Sequence, residues 1–236
     1  MLTAPPAVPT TPTRRLLTCG IVGGPLFVVV VLVQGFTRAG FDPSYHPLSL
    51  LSLGDLGWIQ IANFVVTGVL FVACAAGMRR VLRPGRGAAW GPLLIGAFGL
   101  GLIMAGVFVT DAGAGFPSGA PAGAPERMSW HGIGHELGFF TATLSWMAAC
   151  FVFARGFAAR RRRGWVVASI ATLLGVFILE SWPDLDSLGM RLLIGTAVMF
   201  GFVAAVAARL AQGLQNAAGT TGPVSVDVSS AGGAVT

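Results

Sequence analysis

The chain has 236 residues, of which 54% are hydrophobic and only 10% charged, and its mean hydropathy is +0.77. A soluble domain carries about 25% charged residues, so this composition excludes one and requires a membrane protein. The net charge of +6 comes from arginine clusters beside apolar runs, without the aromatic or folded module of a nucleic-acid binder. Nucleic acid is therefore excluded as a partner, and membrane lipid is the expected one.

Residues 1–13, rich in Pro, Thr and Ala, lack apolar periodicity and are expected to form a disordered tail. A hydrocarbon core of about 30 Å needs about 20 apolar residues, and the first such run is 16–35. Arg14 and Arg15 before it mimic an export signal, but the run is long for one and no A-x-A-like site follows. It reads as an uncleaved span. The next loop runs Phe41-Asp42-Pro43-Ser44-Tyr45-His46-Pro47-Leu48-Ser49-Leu50-Leu51-Ser52-Leu53-Gly54-Asp55. Pro47 suits the start of a helix and Gly54 its end, so 47–53 is expected as a short interfacial helix. His46 is then held extended before the proline, Ser49 and Ser52 share a face, and Asp55 caps the second span.

The second span, 58–78, carries Gln60, Asn63 and Thr67 on one stripe, which must face the bundle because lipid cannot satisfy it. Arg79, Arg80, Arg83 and Arg86 follow it. In the third span, 89–110, Ala97, Gly101 and Ala105 form a small-x3-small stripe that lets another helix approach closely. The chain leaves it through Asp111-Ala112-Gly113-Ala114-Gly115-Phe116-Pro117-Ser118-Gly119, a glycine and proline turn.

The fourth span, 130–154, opens on Ser129-Trp130-His131-Gly132-Ile133-Gly134-His135-Glu136. Four-residue spacing sets His131 and His135 along one helical stripe, the arrangement a metal site or proton relay needs. Gly134, Gly138 and Ala142 continue below them as a floor for close packing or for a cavity. Arg155 and the arginines at 160–163 follow. The fifth span, 165–182, carries Glu180 on its last turn, and Arg191 begins the sixth, 190–210. Residues 211–236 are expected as a second disordered tail, leaving 14–210 as one six-span domain. Cys19, Cys74 and Cys150 each fall where a thiol packs as a small apolar group. Trp58, Trp130 and Trp182 mark one set of span boundaries and Trp90 and Trp165 the other, as interfacial anchors do. Trp146 is expected to pack.

Orientation follows from charge. The basic residues are all arginine, and only Arg38, Arg127 and Arg191 fall on the side opposite the clusters. Arginine clusters mark the cytoplasmic face, so both termini are expected there. Asp42, Asp55, Asp111, Glu126, Glu136, Glu180, Asp184 and Asp186 then lie on the outer side, and Asp227 alone inside.

His46, Asp111, His131 and His135 thus gather on one membrane face, with Ser49, Gln60, Asn63 and Arg191 as candidate lining residues of an outer-leaflet chamber. Zinc takes imidazole and carboxylate ligands, and a catalytic site keeps one position for water. His46, His131, His135 and Asp111 offer more than the three protein ligands required, and Glu136 or Glu180 is the candidate base toward that water or orients a histidine. The competing expectation is that the histidines only form hydrogen bonds at the interface.

The stretch His46-Pro47-Leu48-Ser49-Leu50-Leu51-Ser52-Leu53-Gly54-Asp55-Leu56-Gly57-Trp58-Ile59-Gln60-Ile61-Ala62-Asn63-Phe64 resembles the uncharacterised bacterial membrane family known as domain of unknown function 998. Asp111 with Gly115-Phe116-Pro117-Ser118-Gly119, and then Ser129-Trp130-His131-Gly132, extend the resemblance to 16–210. It implies a multi-pass protein without an assigned activity. More distantly, the set of histidines, aspartate and serine is similar to the inventory of the membrane hydrolases that include alkaline ceramidases and adiponectin-receptor-like proteins, which implies zinc and an acyl lipid amide. Here, however, six spans stand where that superfamily has seven, and Ser49 follows His46 where its serine precedes the histidine.

The expected object is an all-α six-helix bundle in a bacterial cell membrane, since arginine without lysine and abundant Gly and Ala fit a GC-rich genome. Its expected function is an outward-facing site that binds or hydrolyses a lipid or other amphiphile, with a metal as one version. The alternative is a non-catalytic partner subunit or small transporter in which the same polar groups are structural.

Overall fold

The computed structural model describes residues 10–83, 89–125 and 127–220. Arg86, Glu126, Asp227 and the outer parts of both expected tails lie outside them. Six α-helices make up the fold: α1 (Thr10–Thr37), α2 (Gly57–Leu82), α3 (Trp90–Val107), α4 (Trp130–Ala159), α5 (Arg163–Ser181) and α6 (Leu188–Thr220). A 3-10 turn over Leu48–Ser52 lies between α1 and α2. All six helices are long and apolar enough to cross a membrane. Among the described residues there is no strand, only an isolated bridge between Gly113 and Phe116.

Several helix ends differ from those expected, among them that of α2, which runs on to Leu82. α1 begins at Thr10, α4 runs on to Ala159, and α6 continues to Thr220, beyond the expected tail boundary. α3 is shorter than expected and stops at Val107, where Phe108 turns extended. Asp55 does not cap α2. That helix begins at Gly57 behind Leu56, without a side-chain cap, and a Cβ on Gly57 would stand 2.1 Å from the Ser52 carbonyl oxygen. The chain is folded back so tightly there that the cap position has moved past the aspartate, and Gly54, at φ +71°, makes the turn.

Sequential helices pack against one another and α6 closes on α1, giving a ring in which α5 is the least embedded member. Glycines set the close approaches. Cβ atoms on Gly68 and Gly99 would lie 2.5 and 2.6 Å from each other's carbonyl oxygens across α2 and α3. On the other side of α3, Gly101 and Gly138 meet backbone in the same way. The Gly101 and Ala105 stripe therefore packs α3 on α4, as small residues do between spans where no hydrophobic effect drives association.

At the centre, where α1, α2, α3 and α6 converge, Phe27, Phe71, Phe98 and Phe200 form an aromatic nest with ring centroids 5.1 to 5.6 Å apart. Edge-to-face contacts dominate it, the geometry the ring quadrupole favours. Trp146, fully buried, donates its indole N–H to the Met199 carbonyl at 3.1 Å and ties α4 to α6. Trp58, Trp90, Trp130 and Trp182 are 59 to 67% exposed at helix ends, where interfacial anchors belong.

The three loops at the far end from the termini pack on one another. Met190 donates its backbone N–H to Ser44 at 3.1 Å, and Phe41 meets Phe116 edge-on at 5.4 Å. They close that end as a single cap.

Candidate functional site

Each expected ligand has a position, and the four do not meet. His46 is buried at 6% exposure. Its Nδ1 accepts from the Asp42 backbone N–H at 2.8 Å, and its Nε2 donates to the Ala114 carbonyl at 2.9 Å. Both ring nitrogens are thereby used, and His46 joins the first loop to the second. Asp42 is itself held by Ser44, whose hydroxyl at 2.5 Å and backbone N–H at 2.9 Å keep its carboxyl below the usual range. We expect His46→Ala to lower stability by about 1–2 kcal/mol through the two lost bonds, read as a lower unfolding midpoint in detergent.

Asp111 lies at the N-terminus of α4. Its Oδ2 accepts from the Ser129 N–H at 2.7 Å, while the Ser129 hydroxyl accepts from Gly132 N–H at 3.0 Å. A Cβ on Gly132 would stand 2.0 Å from that Asp111 oxygen. Ser-x2-Gly is thus an N-cap followed by the gap that admits a carboxylate to the positive end of the helix. Asp111→Ala should cost about 1 kcal/mol of stability, and Asp111→Asn, which keeps an acceptor, clearly less.

His131 is exposed and lies on the Trp130 ring, centroids 3.6 Å apart. His135, one turn further, points inward at 4% exposure. Its Nδ1–H donates to the carbonyls of Ala105 at 2.8 Å and Phe108 at 3.1 Å. These are carbonyls at the C-terminal end of α3, where the helix no longer uses them. Among the described residues no group of three or more His, Cys, Asp or Glu is placed to hold a metal ion. The expected zinc centre of His46, Asp111, His131 and His135 is therefore not formed, because three of the four side chains are committed to main-chain groups and His131 lies out on Trp130.

The stripe on α2 also serves a neighbour. Gln60 accepts from Gln34 Nε2 at 2.8 Å, and Asn63 donates to the Phe27 carbonyl and to Gln60, both at 3.2 Å. Gln60 and Asn63 hold α2 to α1 and do not line a chamber. Arg191 does not line one either. Its guanidinium donates to the Leu179 and Trp182 carbonyls at 2.8 and 2.7 Å, to the Asp184 carbonyl and to Ser187, tying the end of α5 to the start of α6. Glu136 is half-exposed, whereas His135 beside it is buried.

What the fold does form is a cavity of about 100 Å³ above the aromatic nest. Pro47, Leu48 and Ser49 of the 3-10 segment roof it, and Phe27, Phe64, Phe98 and Phe200 floor it. α4 contributes His135, Phe139, Ala142 and Thr143; α5 contributes Glu180; α6 contributes Leu192, Thr196 and Met199. Because Nδ1 of His135 carries the proton that its two carbonyls require, Nε2 is an acceptor in the neutral ring. Among the described residues that nitrogen has no partner. The Glu180 carboxylate lies over α6 at Gly195, where a Cβ would stand 3.0 Å from its Oε1. Phe139 both lines the cavity and is 38% exposed, so it stands where the chamber meets the apolar exterior.

Thr143, Thr196 and Gly195 are site residues the sequence reading missed. An isolated hydroxyl in an apolar span is a weak signal, since threonine commonly bonds within its own helix, as Thr141 does to the Leu137 carbonyl at 2.7 Å.

Fold and site define a multi-pass, all-helical membrane protein with a small, mainly apolar chamber that carries a few polar groups inside one end of its bundle. The match to known families is consistent with that class. The chain belongs to the family described as protein of unknown function (DUF998), whose model matches residues 21–209. Nothing among curated proteins or solved structures matches it.

Proposed function

We propose that this protein binds an amphiphile from the membrane, seating part of the molecule in the chamber beneath the 3-10 segment. The observation that carries this reading is one cavity with an aromatic floor and polar groups of α4, α5 and α6 on its walls. Intramembrane polar groups are costly to keep, and their default reading is functional. The volume is below the about 150 Å³ that admits a benzene ring, so a short segment enters and the rest stays beside Phe139. In this reading His135, Glu180, Ser49, Thr143 and Thr196 are binding groups. Both termini are cytoplasmic and the chamber lies in the outer leaflet of a bacterial cell membrane, an orientation supported by the arginine clusters beside the termini.

The test is ligand-induced stabilisation. Purified protein in a neutral detergent should unfold at a higher temperature as dodecanol is added, and saturably so. Thr196→Phe, which fills the chamber, should remove the shift. An unsaturable effect, equal in both proteins, would mean general detergent exchange and would end this reading.

A further inference from the structure

The chamber's polar groups share a chemical bias. Glu180, on the last turn of α5, presents an acceptor-only carboxylate when ionised. Among the described residues it has no hydrogen-bond or ion-pair partner. His135 adds a second acceptor, because its one ring N–H is held by Ala105 and Phe108. Thr143 and Thr196 add hydroxyls that accept or donate as required. No arginine lines the space, and the basic residue nearest to Glu180 in sequence, Arg191, spends its guanidinium on carbonyls of the α5 end and the loop after it, and on Ser187. Acceptors without a cation lack a donor that is also positively charged.

We infer that the amphiphile carries a primary ammonium head, which enters the chamber and sets its charge against Glu180 and its N–H groups against His135 Nε2 and the threonine hydroxyls. This rests on the amphiphile-binding reading above and narrows it to one class of head group. An alkylammonium is protonated at neutral pH, as the lysine side chain is. It supplies three donors on one atom, matching acceptors on α4, α5 and α6 at once. A phosphate or carboxylate head would face Glu180 with like charge. The competing possibility is that Glu180 holds a proton itself, in which case a neutral hydroxyl head suffices.

Dodecylamine and dodecanol share a chain and differ in the head, so they separate the two. Binding to the full-length protein in a neutral detergent at pH 7 would be measured by titration calorimetry, for the wild type and for the near-isosteric Glu180→Gln. We expect dodecylamine to bind about 10- to 100-fold more tightly than dodecanol, the gain a charged hydrogen bond gives over a neutral one. Glu180→Gln should bring the amine down to the alcohol's affinity. Equal affinities for amine and alcohol in the wild type would overturn the ammonium assignment while the amphiphile reading stands. Preference for the amine that persists in Glu180→Gln would overturn Glu180 as its partner. Binding of neither would overturn both readings together.

Discussion

Gly138→Ala is expected to unfold this protein far more readily than a methyl added at an open glycine of the bundle. The added carbon would stand 2.6 Å from the Ala105 amide nitrogen and 2.8 Å from the Gly101 carbonyl oxygen. Both are main-chain atoms of a packed helix, so the clash cannot be relieved by turning a side chain. α4 must move away from α3, and overpacking of this kind costs about 1–3 kcal/mol and occasionally more. Gly101→Ala should act alike, since its Cβ would meet the Ala142 nitrogen at 2.5 Å. Gly175→Ala and Gly201→Ala are the controls. Nothing lies within 4 Å of a Cβ at either, so they should be neutral or gain about 0.5–1 kcal/mol from helix propensity. Unfolding midpoints of the four variants, measured in one detergent, check the ordering. The seam matters to the site because His135 reaches Ala105 and Phe108 across it. A displaced α4 would lose the chamber wall as well as stability.

The second large effect is at His135, whose two nitrogens have separable tasks. His135→Ala leaves the Ala105 and Phe108 carbonyls without their donor in a buried setting, at a cost of about 1–3 kcal/mol. It also removes Nε2 from the chamber. His135→Asn places a carboxamide N–H near the Nδ1 position and has nothing at Nε2. We therefore expect the asparagine variant to unfold close to the wild type yet to bind amphiphile as poorly as the alanine variant. Stability and binding that fall together in both variants would mean that His135 acts only as a hook between α3 and α4.

The bundle itself was legible from composition, because a span needs only length and apolar content, and all six helices follow the expected runs. The short turn after His46 was legible too, from Pro47 and Gly54. Side-chain partners were much less so. Gln60 and Asn63 were correctly turned toward the bundle, but a stripe on one helix does not say which neighbour it meets, and the answer was Gln34 and the Phe27 carbonyl on α1. His46 and Asp111 illustrate the same limit. Both sit on the expected face, but nothing in residue type separates a metal ligand from a side chain that satisfies a loop amide or a helix N-terminus. Ser129 did carry an N-cap signal for α4, but nothing in it pointed to Asp111, which is 18 residues away. The chamber was out of reach because it depends on where α5 stops and where Gly195 clears space for Glu180, which are tertiary facts.

The central claim is that a membrane amphiphile occupies the chamber, and photo-crosslinking tests it directly. A dodecylamine carrying a diazirine near the head would be irradiated with the protein in bilayers and the labelled residues mapped by mass spectrometry. Label concentrated on the chamber residues Phe139, Thr143, Leu192, Thr196 and Met199, and competed away by unlabelled amine, is the predicted result. Label spread over Leu137, Phe140 and Leu144, which are 54 to 61% exposed on the outer face of α4, with no competition, would contradict it.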